Sequence, residues 1–132
     1  MAALMAAAVL AGAGCGESVE LPDLFVVTRT GGGEKLTVLI NEGGTVHCNG
    51  GRAHQLSDAQ LIQARGVTEE LQTPSSKHLK LPPRPGSVFR YTVRDAEGTV
   101  RFADNSASQP SALHHLQYLV LEVAQRVCGL PG

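Results

Sequence analysis

The chain has 132 residues, with 11 Lys/Arg against 12 Asp/Glu, a formal charge of −1 and 42% hydrophobic residues. That length suffices for one ordinary domain and falls short of two. A near-neutral balance makes no electrostatic case for a nucleic acid as the main partner, and ordinary apolar content without a visible repeat excludes collagen, coiled coil and wholesale disorder.

Residues 1–14 hold no charged side chain, and Leu4, Met5, Val9 and Leu10 sit among alanines. An apolar run of about 7–15 residues followed by small residues is what a signal peptidase reads. A spanning helix needs roughly 20 apolar residues, and the polar Gly16-Glu17-Ser18 arrives too early for one. The expected organisation is a signal peptide over 1–14, a tether over 15–22 and a single domain over 23–132. Cys15 follows Leu10-Ala11-Gly12-Ala13-Gly14, which resembles a bacterial lipobox, where small residues precede a cysteine that becomes the lipidated N-terminus. Gly12 stands where that motif usually has a large aliphatic residue, and no positive n-region precedes the apolar run. The expectation is a domain held on the extracytoplasmic face of the cell membrane by a lipid on Cys15; the alternative is a plain secretory signal with an incidental cysteine.

The cysteine count sharpens this expectation. Three cysteines in an exported chain leave one odd thiol unless one has another fate. With Cys15 lipidated, Cys48 and Cys128 remain as an even pair and are expected to form a disulfide. The rival is a metal site using Cys48 with His47 or His54, which lacks a second Cys-x-x-Cys or His-x-x-x-His element. No metal and no cofactor is expected.

Residues 24–30 and 35–40 are short, rich in β-branched side chains and separated by Gly31-Gly32-Gly33, a hairpin pattern. Residues 45–48, after the turn Asn41-Glu42-Gly43-Gly44, are a candidate third strand. Ser57 with Gln60 makes a capping box, and Leu61, Ala64, Val67 and Leu71 form an apolar stripe, which predicts a helix over 57–71 that Gly66 weakens. Residues 73–87 hold Pro74, Pro82, Pro83 and Pro85 and predict a connection. Residues 88–94 and 99–104 flank Asp95-Ala96-Glu97-Gly98, the clearest hairpin in the chain. Phe89, Tyr91, Val93, Val100 and Phe102 alternate there with polar residues, so one face is core and the other wet. Pro110 opens a helix that runs to about residue 127, burying Leu113, Leu116, Val120, Val123 and Val127 and ended by Gly129 and Pro131. The predicted fold class is α+β: a small antiparallel sheet of two hairpins plus the candidate extra strand, with two helices on one face.

Each candidate site has a plainer competitor. Gly31-Gly32-Gly33 has the composition of a phosphate cradle, but Glu34-Lys35 and a strand follow it where a phosphate loop needs Gly-Lys-Ser/Thr and a helix, so a flexible hairpin turn is favoured. His54, Ser57 and Asp58 contain the side-chain types of a hydrolase triad, but Ser57 is better used as an N-cap and no nucleophile elbow surrounds it, so no enzyme is expected. His114 and His115 point about 100° apart on a helix and cannot both grip one metal. Arg90, Arg94 and Arg101 line the polar face of the second hairpin, with Arg84 nearby in the chain. A tethered domain turns such a face toward anionic headgroups or an acidic partner; the bland alternative is a solvated sheet face. Pro82-Pro83-Arg84-Pro85 resembles a polyproline ligand, but it lies between folded elements and reads as a stiff loop. Recognition by a rigid sheet uses exposed loops, so the candidates for partner contact are Gly31, Gly32 and Gly33 together with Leu81, Pro82, Pro83, Arg84 and Pro85.

Two family resemblances follow from these residues. The run from Cys48-Asn49-Gly50-Gly51 through Leu61-Ile62-Gln63-Ala64-Arg65, Leu81-Pro82-Pro83-Arg84-Pro85-Gly86-Ser87-Val88, Phe102-Ala103-Asp104 and Val127-Cys128-Gly129-Leu130-Pro131 resembles a group of short actinobacterial exported lipoproteins, a resemblance that implies export and anchoring but no activity. Val27-Thr28-Arg29-Thr30-Gly31-Gly32, residues 91–102 and Pro110-Ser111-Ala112-Leu113 are similar in order and spacing to emfourins, small inhibitors of thermolysin-like metalloproteases; that similarity implies a metalloprotease as partner and transfers no inhibitory residue. The expected function is a non-enzymatic, lipid-anchored domain that binds another protein of the cell envelope. The alternatives are an emfourin-like inhibitor and a binder of a small apolar or lipid ligand, the latter disfavoured by only 2 Tyr, 3 Phe and no Trp.

Overall fold

The computed structural model describes residues 23–130, so the signal segment, Cys15, the tether and Pro131 lie outside the described residues. The alternating segments form strands β1 (Asp23–Gly31), β2 (Glu34–Asn41), β3 (Thr45–Cys48), β4 (Ala53–Gln55), β5 (Arg90–Arg94) and β6 (Thr99–Ala103), with helices α1 (Asp58–Ser76) and α2 (Ser111–Arg126). The strands make one sheet in the order β4-β3-β2-β1-β5-β6, every neighbouring pair antiparallel. The fold is α+β, as the periodicities predict.

Local chemistry explains both hairpins. Gly32 and Gly33 connect β1 to β2 with φ of +62° and +78°. A two-residue connection with both φ positive matches the twist of its strands, and glycine takes that conformation without steric cost. At the β5–β6 turn, Asp95 Oδ1 accepts from the amides of Glu97 and Gly98 at 2.9 and 3.1 Å, a local bond that substitutes for a longer turn.

The pleat sends Phe25, Val27, Val38, Ile40, Val46, Val93 and Val100 to one side, where they are buried against Ala64, Val67 and Leu71 of α1 and Leu113, Leu116, Leu119, Val120 and Val123 of α2. The predicted stripe residues Leu61 and Val127 are only partly buried. The capping box is present: Ser57 Oγ accepts from the Gln60 amide at 3.2 Å, and Gln60 Oε1 from the Ser57 amide at 2.9 Å.

Three boundaries depart from the prediction. Helix α1 does not stop at Leu71 but continues to Ser76 with Pro74 inside it. A proline in the last turn deletes one helical donor, and tertiary contacts outweigh that loss: Pro74 and Ser75 are buried, and Ser75 Oγ donates to Asp95 Oδ2 at 2.8 Å. The edge strand β4 was not foreseen; it forms because the turn after β3 is closed by Asn49 Oδ1, which accepts from the Thr37 amide at 2.8 Å, and by a 2.8 Å contact of His47 Nδ1 with the Gly51 carbonyl. The second hairpin is shorter than expected, since β5 starts at Arg90 and β6 ends at Ala103. The Val88 amide and the Ser87 hydroxyl bond instead to the Asp104 carboxylate.

The disulfide joins Cys48 to Cys128 with a Cα–Cα distance of 5.9 Å, fixing the end of β3 to the chain just beyond α2.

Candidate functional site

Residues directly opposite across antiparallel strands project to the same side of a sheet. On the side away from the helices, the register sets Lys35, Thr30, Arg90 and Ala103 in one row, Thr37, Thr28, Thr92 and Arg101 in the next, and Leu39, Val26, Arg94 and Thr99 in a third. These rows contain four cations and no carboxylate. Beyond β6, the Leu81 amide donates to the Arg101 carbonyl at 2.9 Å and the Arg101 amide to the Leu79 carbonyl at 3.0 Å, which makes Lys80 the parallel bridge partner of Arg101. Leu79 and Leu81 pack on the core, and Lys80 is exposed beside Arg101. Arg101 therefore has Lys80 on one side and Arg90 and Arg94 at its two diagonals. Like charges in such positions destabilise a sheet by tenths of a kcal/mol each, and nothing in these rows compensates them.

A groove of about 470 Å³ lies over this cluster, lined by Lys80, Pro82, Pro83, Arg90, Thr92 and Arg101 among others. Its outer wall is the proline-rich segment. Prolines have no amide donor, so a strap of this composition cannot hold itself by its own ladder, and its carbonyls are taken by the turn after β6. Ser106 Oγ donates to the Pro82 carbonyl at 2.9 Å, while Asn105 Nδ2 donates to the carbonyls of Arg84 and Pro85 at 3.1 Å each. Asn105 Oδ1 accepts from the Arg84 amide at 3.0 Å. Gln109 Nε2 in turn fastens that turn by donating to the carbonyls of Ala103, Asp104 and Ser106. The wall is thus built in advance of any ligand.

The floor is stiffened from the core side. The rings of Tyr91 and Phe102 stack with centroids 4.9 Å apart, and the Arg29 guanidinium, only 6% exposed, lies 4.5 Å over the Phe89 ring. Burial pushes the Tyr91 phenol above its ordinary value, more than the neighbouring Arg29 cation pulls it down, so the phenol stays neutral in the physiological range.

The structure brings part of the candidate set together. Leu81, Pro82 and Pro83 share the groove with Arg90 and Arg101. Arg84 and Pro85 stand beside it, held by Asn105 and exposed. Gly31 has φ +146°, and a Cβ on it would lie 2.0 Å from the Val88 carbonyl oxygen. The glycine hairpin tip therefore abuts the end of the strap at the same end of the sheet, while Gly32 and Gly33 face open space. His54 and Ser57 are separated in role, His54 on the β4 edge and Ser57 committed to its cap. His115 Nδ1 approaches Glu70 Oε2 at 2.7 Å, linking the two helices. Sequence reasoning missed Lys80, Thr92 and the Asp104–Asn105–Ser106 clasp. The alternation Leu79-Lys80-Leu81 carries a strand signal, masked by the prolines that follow.

Asp104 closes the clasp and gives it a pH dependence. Its partial burial raises its pKa, but the Ser87 hydroxyl at 2.9 Å and the Val88 amide at 3.2 Å, bonding to the ionised form, together hold it below the ordinary value of 3.8. A carboxyl depressed in the folded state contributes stability that is present above the ordinary value and is lost as pH falls through the lower folded one. Asp104→Asn is expected to lower stability at pH 7 and to flatten the acid limb of a stability-against-pH curve. Parallel acid limbs for variant and wild type overturn this assignment.

A scan against protein-family models and a search of characterised proteins find no match to this chain.

Proposed function

We propose that the chain is a lipid-anchored, extracytoplasmic recognition domain that binds another protein of the cell envelope and catalyses no reaction. The observation that carries this reading is the segment 82–85, whose Pro82 and Pro83 wall the groove and whose Arg84 and Pro85 stand beside it, fixed by Asn105 and Ser106 while its outer side stays exposed. A surface fixed before binding avoids the ordering cost of about 0.5–1.5 kcal/mol per immobilised side chain that a loose loop incurs. Anchoring is supported by the small residues before Cys15 and by the resemblance to exported lipoproteins. The Cys48–Cys128 bridge supports an oxidising compartment, where such bonds persist. A tether over 15–22 spans at most about 25–30 Å, which restricts partners to the membrane-proximal layer.

The test replaces residues 82–85 with Gly and Ser and keeps Leu81, whose side chain packs on the core and whose amide bonds to Arg101. Crosslinking in intact cells is expected to capture a partner with the wild type and not with the replacement, at matched abundance. Cys15→Ser is expected to be released into the medium or to remain uncleaved. Equal capture overturns the recognition surface, and identical processing together with identical fractionation overturns the anchor.

A further inference from the structure

Resting on that protein-binding reading, we infer that the groove and the adjoining rows take an extended acidic segment of the partner. Its carboxylates sit on Lys80, Arg101, Arg90 and Arg94, and an apolar side chain lies against Pro82 and Pro83.

Charge complementarity is the first argument. The chain has a net charge of only −1, yet Lys80, Arg90, Arg94 and Arg101 are adjacent in the register without one carboxylate in their rows. Four exposed cations so placed repel one another, and an anion laid across them relieves that repulsion. Guanidinium groups match carboxylates in a planar, bidentate manner, and three of these four cations are arginines.

The wall selects among anions. Pro82 and Pro83 are exposed and present apolar rings beside the charges. A phosphate polymer or a lipid headgroup has nothing to place there, whereas a peptide strand offers carboxylate and aliphatic side chains in alternation. Chain geometry agrees: side chains on one side of an extended peptide repeat about every 6.6 Å, close to the spacing between diagonal neighbours on a sheet. Thr92 and Thr28 line the rows beneath with hydroxyls able to bond a peptide main chain.

The experiment uses the purified full chain with its disulfide intact and measures fluorescence anisotropy with a labelled peptide of alternating Glu and Leu. Its counterpart with Gln for Glu, polyphosphate and phosphatidylglycerol vesicles serve as competitors. The Glu-Leu peptide is expected to bind, to weaken as salt rises, and to lose about tenfold in affinity in Lys80→Gln/Arg101→Gln. Lys77→Gln/Arg126→Gln, which removes the same charge outside the groove, is expected to stay within about twofold of wild type. Near-ultraviolet circular dichroism checks that each variant is folded. Equal binding of the Gln peptide, equal losses in both double variants, or competition by polyphosphate or vesicles alone overturns the acidic-segment inference. In cells, partner capture that survives Lys80→Gln/Arg101→Gln but not replacement of residues 82–85 overturns this inference and leaves the protein-binding reading in place. Capture that survives both changes overturns the reading itself.

Discussion

Replacing Cys48 and Cys128 together with serine is expected to lower the stability of the domain by about 4–5 kcal/mol. The bridge spans a sequence separation of 80 residues, and the chain-entropy account assigns a loop of that length about this much, through restriction of the unfolded chain. Small domains have only about 5–15 kcal/mol of net stability, so the variant is expected to melt roughly 15–25 °C lower. Contacts play a smaller part, because both cysteines are only partly buried at the edge of the core. Denaturant titration separates the two origins. Freed from the cross-link, the unfolded chain exposes more surface, so the slope m is expected to rise in the serine variant as the midpoint falls. An unchanged slope with a loss below about 1 kcal/mol overturns the entropic account. Two reactive thiols at Cys48 and Cys128 in the denatured, unreduced wild type overturn the bridge.

Gly31→Ala is expected to cost about 2–4 kcal/mol, and Gly33→Ala only about 1 kcal/mol. Both positions have positive φ, +146° and +78°, so both substitutions meet backbone strain. They differ in what the new methyl touches. At Gly33 it points into open space, whereas at Gly31 it lies 2.0 Å from the Val88 carbonyl oxygen and 2.9 Å from the Phe89 ring. That carbonyl cannot retreat easily, because Asp104 holds the Val88 amide and the Asp104 amide holds the Phe89 carbonyl at 3.0 Å. Relieving the clash therefore requires the end of the strap and its Asp104 clasp to shift together from the hairpin tip, and peptide binding in the groove is expected to weaken with stability. Equal costs at the two glycines show that strain alone matters and that the tip does not support the strap.

The patterns that rest on near neighbours were legible in the sequence. Alternation along Phe89–Arg94 and Thr99–Phe102 placed the second hairpin and its two faces, and it placed Arg90, Arg94 and Arg101 together on the wet side. Ser57 with Gln60 marked the start of α1, and setting Cys15 aside as the expected lipidation site left Cys48 and Cys128 as the pair that the structure joins. The end of α1 is not legible locally: the local cost of proline predicts a stop before Pro74, whereas Pro74 and Ser75 are buried and Ser75 bonds to Asp95, 20 residues away. The strand β4 escaped because three residues carry too little periodicity to announce a strand.

What the sequence by itself determined is therefore the α+β class, the order of the main elements and the polarity of each strand face, since each follows from residue spacing or local caps; the disulfide was legible only on the expectation that Cys15 has another fate. Only the tertiary structure decided that the proline-rich strap runs beside β6, that Lys80 joins Arg101, and that Asn105 and Ser106 hold the wall of the groove. Those features depend on hydrogen bonds between residues 20 or more positions apart, several of them donated to carbonyls of the proline-rich segment that have no ladder of their own. Spacing along a chain does not encode which distant side chain supplies such a donor; packing the sheet against its two helices does.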